Sequence, residues 1–289
     1  MTDFYLRADL QPGALAAVTG AAGLLQWATV TADAAAPGQV YRNQEGRKTL
    51  RIQLDGRSFF LKSHRGVGWR EIFKNLLQGR LPIVGAGSEY RAILALERVG
   101  VETLSIAAFA SQGANPARRQ SMLLTDELVS TISLEDFCAP WATRPPDYSL
   151  RTRLIITVAG IARRMHEAGI NHRDFYLCHF HLGTDSLAQG SLRCHLIDLH
   201  RAQCRSRTPM RWRVKDLAGL YFSAMDCGLT LRDMQRFARH YHPGGLREAL
   251  VENAPLWRRV QRAATALYRK ANGRMPPSPT IPGGNARVR

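Results

Sequence analysis

Residues 168–184 read AGINHRDFYLCHFHLGT, and the fold turns on what this stretch is for. It sets His172, Arg173, Asp174, His179 and His181 among apolar and aromatic neighbours. Three chemistries would gather titratable groups in this way: metal ligation, proton handling, or mutual satisfaction in a core. A metal reading could enlist Cys178, His179 and His181 with Cys194, His195 and His200 downstream. Zinc motifs, however, space their ligands so that side chains converge, and adjacent positions here diverge. A lone His-Arg-Asp also recurs by chance, so its company along the chain has to decide.

Upstream, KTLRIQL and RSFFLK flank Asp55-Gly56, the dipeptide of a two-residue type I′ hairpin, and the second strand ends in Lys62. GWREIFKNLLQG, with Glu71, and GSEYRAILALERVG, with Glu89, carry helical periodicity; Ser88 is the expected N-cap of the second and Gly100 its stop. LSIAAFA and QSMLLTDEL read as strands around the polar loop SQGANPARR. Beyond Pro145-Pro146 the pattern turns helical, with a long amphipathic helix over 147–168 ending at Gly169. A short strand in LRCHLIDL presents Asp198, and helices follow at about 212–227, 230–241 and 255–271. The expected organisation is an N-terminal arm or loose helix (1–39), a β-rich lobe (40–127), a larger helical lobe (128–272) and a disordered Pro/Gly-rich tail (273–289). Such a chain is α+β, and its 289 residues suit two lobes around a shared cleft.

The charge balance is unusual: 40 basic residues, only five of them lysine, face 23 acidic ones for a net +17. A biased codon usage accounts for arginine over lysine but not for the positive excess, which attracts anions. Five cysteines without a Cys-x-x-Cys pair suit a reducing compartment. No signal peptide and no membrane span is expected, since the small-residue run after residue 11 lacks a basic leader and is broken by Pro12 and glycines.

Phosphoryl transfer asks for four charges: a cation on the nucleotide phosphates, an anion holding that cation, a carboxylate orienting the attacking hydroxyl, and another holding Mg²⁺. Lys62, a helix glutamate 27 residues on, Asp174, and Asp198 24 residues beyond it supply that set in that order. On the motifs GRKTLR, HRGVGW-EI-KNLL, NHRDFYLCHF, IDLHRAQ and KDLAGLYFSA, spread over roughly residues 40–270, the chain resembles the lipopolysaccharide core heptose(I) kinase family of the protein-kinase-like superfamily.

The resemblance implies a protein-kinase-like bilobal fold with a β-rich N-terminal lobe and a larger helical C-terminal lobe. It implies ATP and Mg²⁺ as cofactors, transfer of the γ-phosphate to the first heptose of the lipopolysaccharide inner core, and a cytoplasmic place on the inner face of a Gram-negative inner membrane. Asp174 would be the catalytic base, with His172 and Arg173 completing its loop. Lys62 would hold phosphates and pair with Glu89, with Glu71 the rival partner. Gly46 would lie in the phosphate loop, and Thr125 and Glu127 in the adenine-contacting hinge LLTDEL. Asp198 would hold metal, His179 would replace the asparagine of a second metal site, and Asp216 would steady the loop.

The chain also departs from protein kinases. RNQEGRKT offers Gly46 alone in place of a glycine-rich loop, Tyr176 stands where many have lysine, and Asp-Leu-His replaces Asp-Phe-Gly. These changes suit a glycolipid or small-molecule acceptor, and retention of both Asp174 and Asp198 argues against a pseudokinase. Expected partners are the lipopolysaccharide acceptor, an anionic membrane surface and an acidic carrier protein. An aminoglycoside-type phosphotransferase would share the machinery. An Arg-rich nucleic-acid binder would explain the charge, but no recognised module is evident and no nucleic acid is expected.

Overall fold

The computed structural model describes residues 3–44, 46–77 and 84–279. The C-terminal tail, expected to be disordered, lies largely outside the described residues. Two compact units emerge: Met1–Leu94 with Leu104–Val129 and Leu199–Arg201, and Ala95–Thr103 with Ser130–Asp198 and Ala202–Arg289.

The first unit is built on an antiparallel sheet of six strands: β1 (Asp3–Leu6), β2 (Val40–Gln44), β3 (Arg47–Leu54), β4 (Arg57–His64), β5 (Ile106–Gln112) and β6 (Gln120–Asp126), in the spatial order β1-β5-β6-β4-β3-β2. Asp55 and Gly56 have φ of 49° and 75°, the two positive values that a type I′ turn between twisted strands requires. Their hairpin fixes the β3–β4 register, with Thr49 opposite Lys62.

Residues 3–39 are not a separate arm. β1 completes the sheet edge against β5, and α1 (Gly20–Ala34) buries Leu24, Leu25, Ala28 and Ala32 in one core with Leu50, Phe59, Leu61, Met122 and Leu124. The alanine and glycine content that suggested looseness lets the helix backbone lie close to the sheet, and each buried leucine adds about 1.5–3 kcal/mol.

Two further helices follow, α2 (Gly68–Leu77) and α3 (Gly87–Arg98). α3 begins a residue before Ser88, so Ser88 lies in its first turn and not at the N-cap; its Oγ donates to the His200 carbonyl at 3.3 Å. Tyr90 stacks on Phe109 of β5, ring centroids 3.9 Å apart, and pins α3 to the sheet. Gly100 closes the segment with φ of 67°, which favours glycine.

The second unit carries β7 (Thr131–Ser133), α4 (Leu134–Cys138), α5 (Tyr148–Glu167), β8 (Ile170–Asn171), β9 (Phe180–Gly183), α6 (Thr184–Ala188), β10 (Cys194–Leu196), β11 (Gln203–Cys204), α7 (Met210–Ala224), α8 (Leu231–Tyr241), the single turn α9 (Gly245–Arg247) and α10 (Ala254–Asn272). Asp147 caps α5 by accepting from the Leu150 amide at 3.0 Å. Leu154, Val158, Ile161, Ala162 and Met165 form its buried face. The helix ends where Gly169 takes φ of 77°; a Cβ there would stand 1.9 Å from the Arg205 carbonyl oxygen, so only glycine lets these backbones meet. That approach lets β8 pair with β11, which launches the His-Arg-Asp stretch from a fixed point.

Candidate active site

The first unit holds a buried ion pair. Lys62 on β4 and Glu89 on α3 meet at 2.5 Å, their side chains 19 % and 2 % exposed. A strand in the middle of the sheet and a helix pinned by the Tyr90 stack leave the glutamate little choice of partner. Glu71, the rival, is 3.2 Å from Lys74 on its own helix.

Gly46 has φ of 70°, and a Cβ on it would lie 2.3 Å from the Gly66 carbonyl oxygen. Its own carbonyl accepts from the Arg65 amide at 2.8 Å. The chain's own packing therefore requires glycine at this turn. Glu127 is likewise committed: its amide donates to the Ser58 carbonyl at 3.1 Å and its carboxylate takes the Arg51 guanidinium at 2.8 Å. Thr125 is buried on β6, and its hydroxyl has no partner among the described residues.

The second unit gathers the rest. Asp216 on α7 is fully buried and accepts from the His172 amide at 2.7 Å and the Arg173 amide at 2.8 Å. Two charge-assisted bonds to consecutive amides hold the loop as a clamp. Arg173 can thereby keep a φ of 77°, sparsely populated for a residue with a side chain. The His166 ring lies 3.3 Å from the same carboxylate through Nε2 and 2.8 Å from the Tyr241 hydroxyl, which also accepts from Arg213 Nε at 2.8 Å. Sequence reasoning missed this support, because His166 is 50 residues from Asp216 and 75 from Tyr241 and carries no motif of its own.

His172 is fully buried, and burial pushes its pKa down, so the ring stays neutral and donates from Nε2 to the Ile197 carbonyl at 2.9 Å. It ties the loop to the residue before Asp198. His179 behaves differently. Its Nδ1 donates to the Asp174 carbonyl at 2.6 Å and its Nε2 stands 3.5 Å from the Asp198 carboxylate. Burial pulls this imidazole down, but Cys178, the Asp174 carbonyl and the Asp198 carboxylate outweigh it and push the pKa up to about 9. The ring joins the Asp174 backbone carbonyl to the Asp198 carboxylate.

Asp198, with φ of 60° and a side chain 36 % exposed, presents hard oxygen donors. Among the described residues no three His, Cys, Asp or Glu side chains converge as a metal cage. Magnesium suits such sparse ligation, keeping waters and leaning on one or two carboxylates and substrate phosphates. Asp198 fits that ion, and the His179 ring stands 3.5 Å from the same carboxylate.

Each unit by itself carries part of what a kinase needs: the first a cation–glutamate pair on sheet and helix, the second an Asp-clamped His-Arg-Asp loop next to a second aspartate. The profile of the lipopolysaccharide kinase (Kdo/WaaP) family matches residues 32–241. The chain belongs to that family. The lipopolysaccharide core heptose(I) kinase WaaP of Pseudomonas aeruginosa is 50 % identical over 234 residues, 81 % of this chain and 87 % of that protein. WaaP of Escherichia coli is 49 % identical over 231 residues, 80 % of this chain and 87 % of its own length. A solved structure of WaaP in complex with acyl carrier protein superposes with a TM-score of 0.77 at 40 % identity, covering 92 % of this chain and 99 % of that one. This family member is thus a kinase with a kinase-like fold, and it uses ATP.

Inside the second unit of this lipopolysaccharide kinase family member lies a cavity of about 330 Å³, lined by Leu154, Val158, Leu217, Leu220, Phe237 and Trp257 among other, mostly apolar, residues. No helix among the described residues is long and apolar enough to cross a membrane.

Proposed function

We propose that the protein transfers the γ-phosphate of ATP to the first heptose of the lipopolysaccharide inner core. The observation that carries this reading is the loop in which Asp216 fixes His172 and Arg173 while His179 joins the Asp174 carbonyl to Asp198. Asp174 accepts the proton of the attacking heptose hydroxyl as the oxygen approaches phosphorus. Lys62, oriented by Glu89, binds the nucleotide phosphates, and the hinge at Thr125 and Glu127 meets the adenine through its backbone. Asp198 would hold Mg²⁺, which would neutralise charge building on the phosphate oxygens. Arg173 keeps Asp174 in register through its clamped backbone.

An acyl carrier protein is the partner we propose. The relative solved with one is 40 % identical, the net charge of +17 attracts an acidic protein, and the apolar cavity offers room for part of an acyl chain.

Mass analysis of core oligosaccharide tests the activity. Incubation of dephosphorylated lipopolysaccharide with ATP and the enzyme should add one phosphate to the first heptose, and Asp174→Asn should add none. Phosphate appearing only on another sugar would refute the acceptor assignment.

A further inference from the structure

The motif HRGVGW-EI-KNLL spans α2, and the phosphoryl-transfer residues use none of that helix. Its Trp69, Phe73 and Leu77 are 48 %, 57 % and 90 % exposed, whereas Ile72 is buried against the first unit. Spaced four residues apart at about 100° per residue, the three fall on one stripe about 80° wide. Arg70 and Lys74, both exposed, continue the same arc along one edge. Glu71 lies beyond them, within 3.2 Å of Lys74. Trp69 and Phe73 stack with centroids 5.8 Å apart, forming one aromatic slab that stands in solvent.

A contiguous exposed apolar patch marks an interaction surface. The arrangement of charge selects the partner. Apolar and aromatic side chains edged by cations are what a helix lying in a bilayer interface displays, with its rings at headgroup depth and its cations on lipid phosphates. The positive excess of the whole chain favours the same anionic surface.

We propose that α2 is an interfacial anchor: Trp69, Phe73 and Leu77 enter the headgroup–acyl boundary of a bilayer while Arg70 and Lys74 meet the phosphates of anionic phospholipids. The purpose of such an anchor rests on the reading of the acceptor as a membrane glycolipid. Its existence does not, and binding can be measured without ATP or acceptor.

The experiment sediments the full-length protein with phosphatidylcholine vesicles with or without about 30 mol% phosphatidylglycerol. The parent should bind the anionic vesicles, and Trp69→Gln/Phe73→Gln/Leu77→Gln should weaken binding at least about ten-fold. Arg70→Gln/Lys74→Gln should weaken it less, and only on anionic vesicles. Because the substituted side chains are exposed, melting temperatures should stay at the parent value, which separates lost binding from lost folding. Trp69→Phe should retain binding but lose most of the blue shift in tryptophan emission on vesicle addition. A parent that ignores vesicles would overturn the proposal. So would a triple variant that binds them within two-fold of the parent, or a parent dimer that the triple variant dissolves, since the stripe would then serve a second copy. Turnover of a delipidated, soluble heptose acceptor should be equal in parent and triple variant. Absence of turnover in both would count against the kinase reading and leave the anchor standing on its vesicle data.

Discussion

The Lys62–Glu89 pair and the Asp174–His179–Asp198 loop solve the same problem, holding charge in place, by different means. The pair sits on regular elements. A central strand and a packed helix fix both backbones, so one contact at 2.5 Å is enough. The loop has no regular element of its own over residues 172–176, and two of its residues, Arg173 and Asp198, adopt positive φ. It is held instead by a buried carboxylate, by the His172 bond to Ile197 and by His179. Groups that only bind can ride on rigid scaffold, whereas groups that must meet a reacting atom are placed by a loop whose strain is offset by neighbouring bonds.

The sharpest way to break this comparison is at the loop. Asp174→Asn removes the proton acceptor and should lower kcat by about 10²- to 10⁴-fold while leaving ATP affinity within about three-fold. Steady-state kinetics with nucleotide titration check it, and retention of more than a tenth of the activity would refute the role of Asp174.

Next comes the clamp. Asp216→Ala strips the acceptor from two amides and leaves them buried, costing about 3 kcal/mol or more, and kcat should fall with stability. Denaturant unfolding and kinetics on the same samples test this. Asp216→Asn keeps one acceptor oxygen and should lose less of both.

The scaffold pair should matter more for stability than for the rate of the chemical step. Lys62→Ala leaves the Glu89 charge buried and should destabilise by about 3–5 kcal/mol, while Lys62→Ala/Glu89→Ala should cost less than the sum of the single changes. Additive losses would show that the pair is not coupled and return Glu71 to consideration.

At His179 the expected effect is smaller and specific. The ring joins the Asp174 carbonyl to the Asp198 carboxylate, so His179→Asn should loosen the loop, lower kcat several-fold, and leave the preference between Mg²⁺ and Mn²⁺ unchanged. A shift of that preference toward Mg²⁺ would instead make His179 a metal ligand.

The smallest effect is on stability against pH. Burial pushes His64 down to about 3 from its ordinary 6.5, with Arg47, Lys62 and His200 adding to the shift, and burial also lowers His172, His181, His195 and His242. Below about pH 6.5 the unfolded chain therefore binds protons that the folded chain refuses, so stability should fall steadily as pH drops from 6.5 toward 3. Melting temperatures across that range check it, and His64→Gln should flatten the slope.

Local chemistry made the hairpin, the helix 147–168 and the ordered charges Lys62, Asp174 and Asp198 legible in the sequence, because a type I′ turn and a helical period are written in neighbouring residues. Glu89 over Glu71 was already favoured there, but both glutamates sit early in a helix, and only packing of α3 on the sheet brings one of them to Lys62. The role of residues 3–39 was ambiguous for a related reason: alanine and glycine fit either an arm or a helix, and the apolar face of the sheet decides. The shifts of His172 and His179, downward in one and upward in the other, were beyond the sequence as well. Two imidazoles seven residues apart share one intrinsic pKa; full burial drives one down, while Cys178, the Asp174 carbonyl and the Asp198 carboxylate drive the other up. Residue order determined which charges this protein would need; long-range packing, which sets each one's dielectric surroundings and partners, determined where they stand and which of them carry a proton.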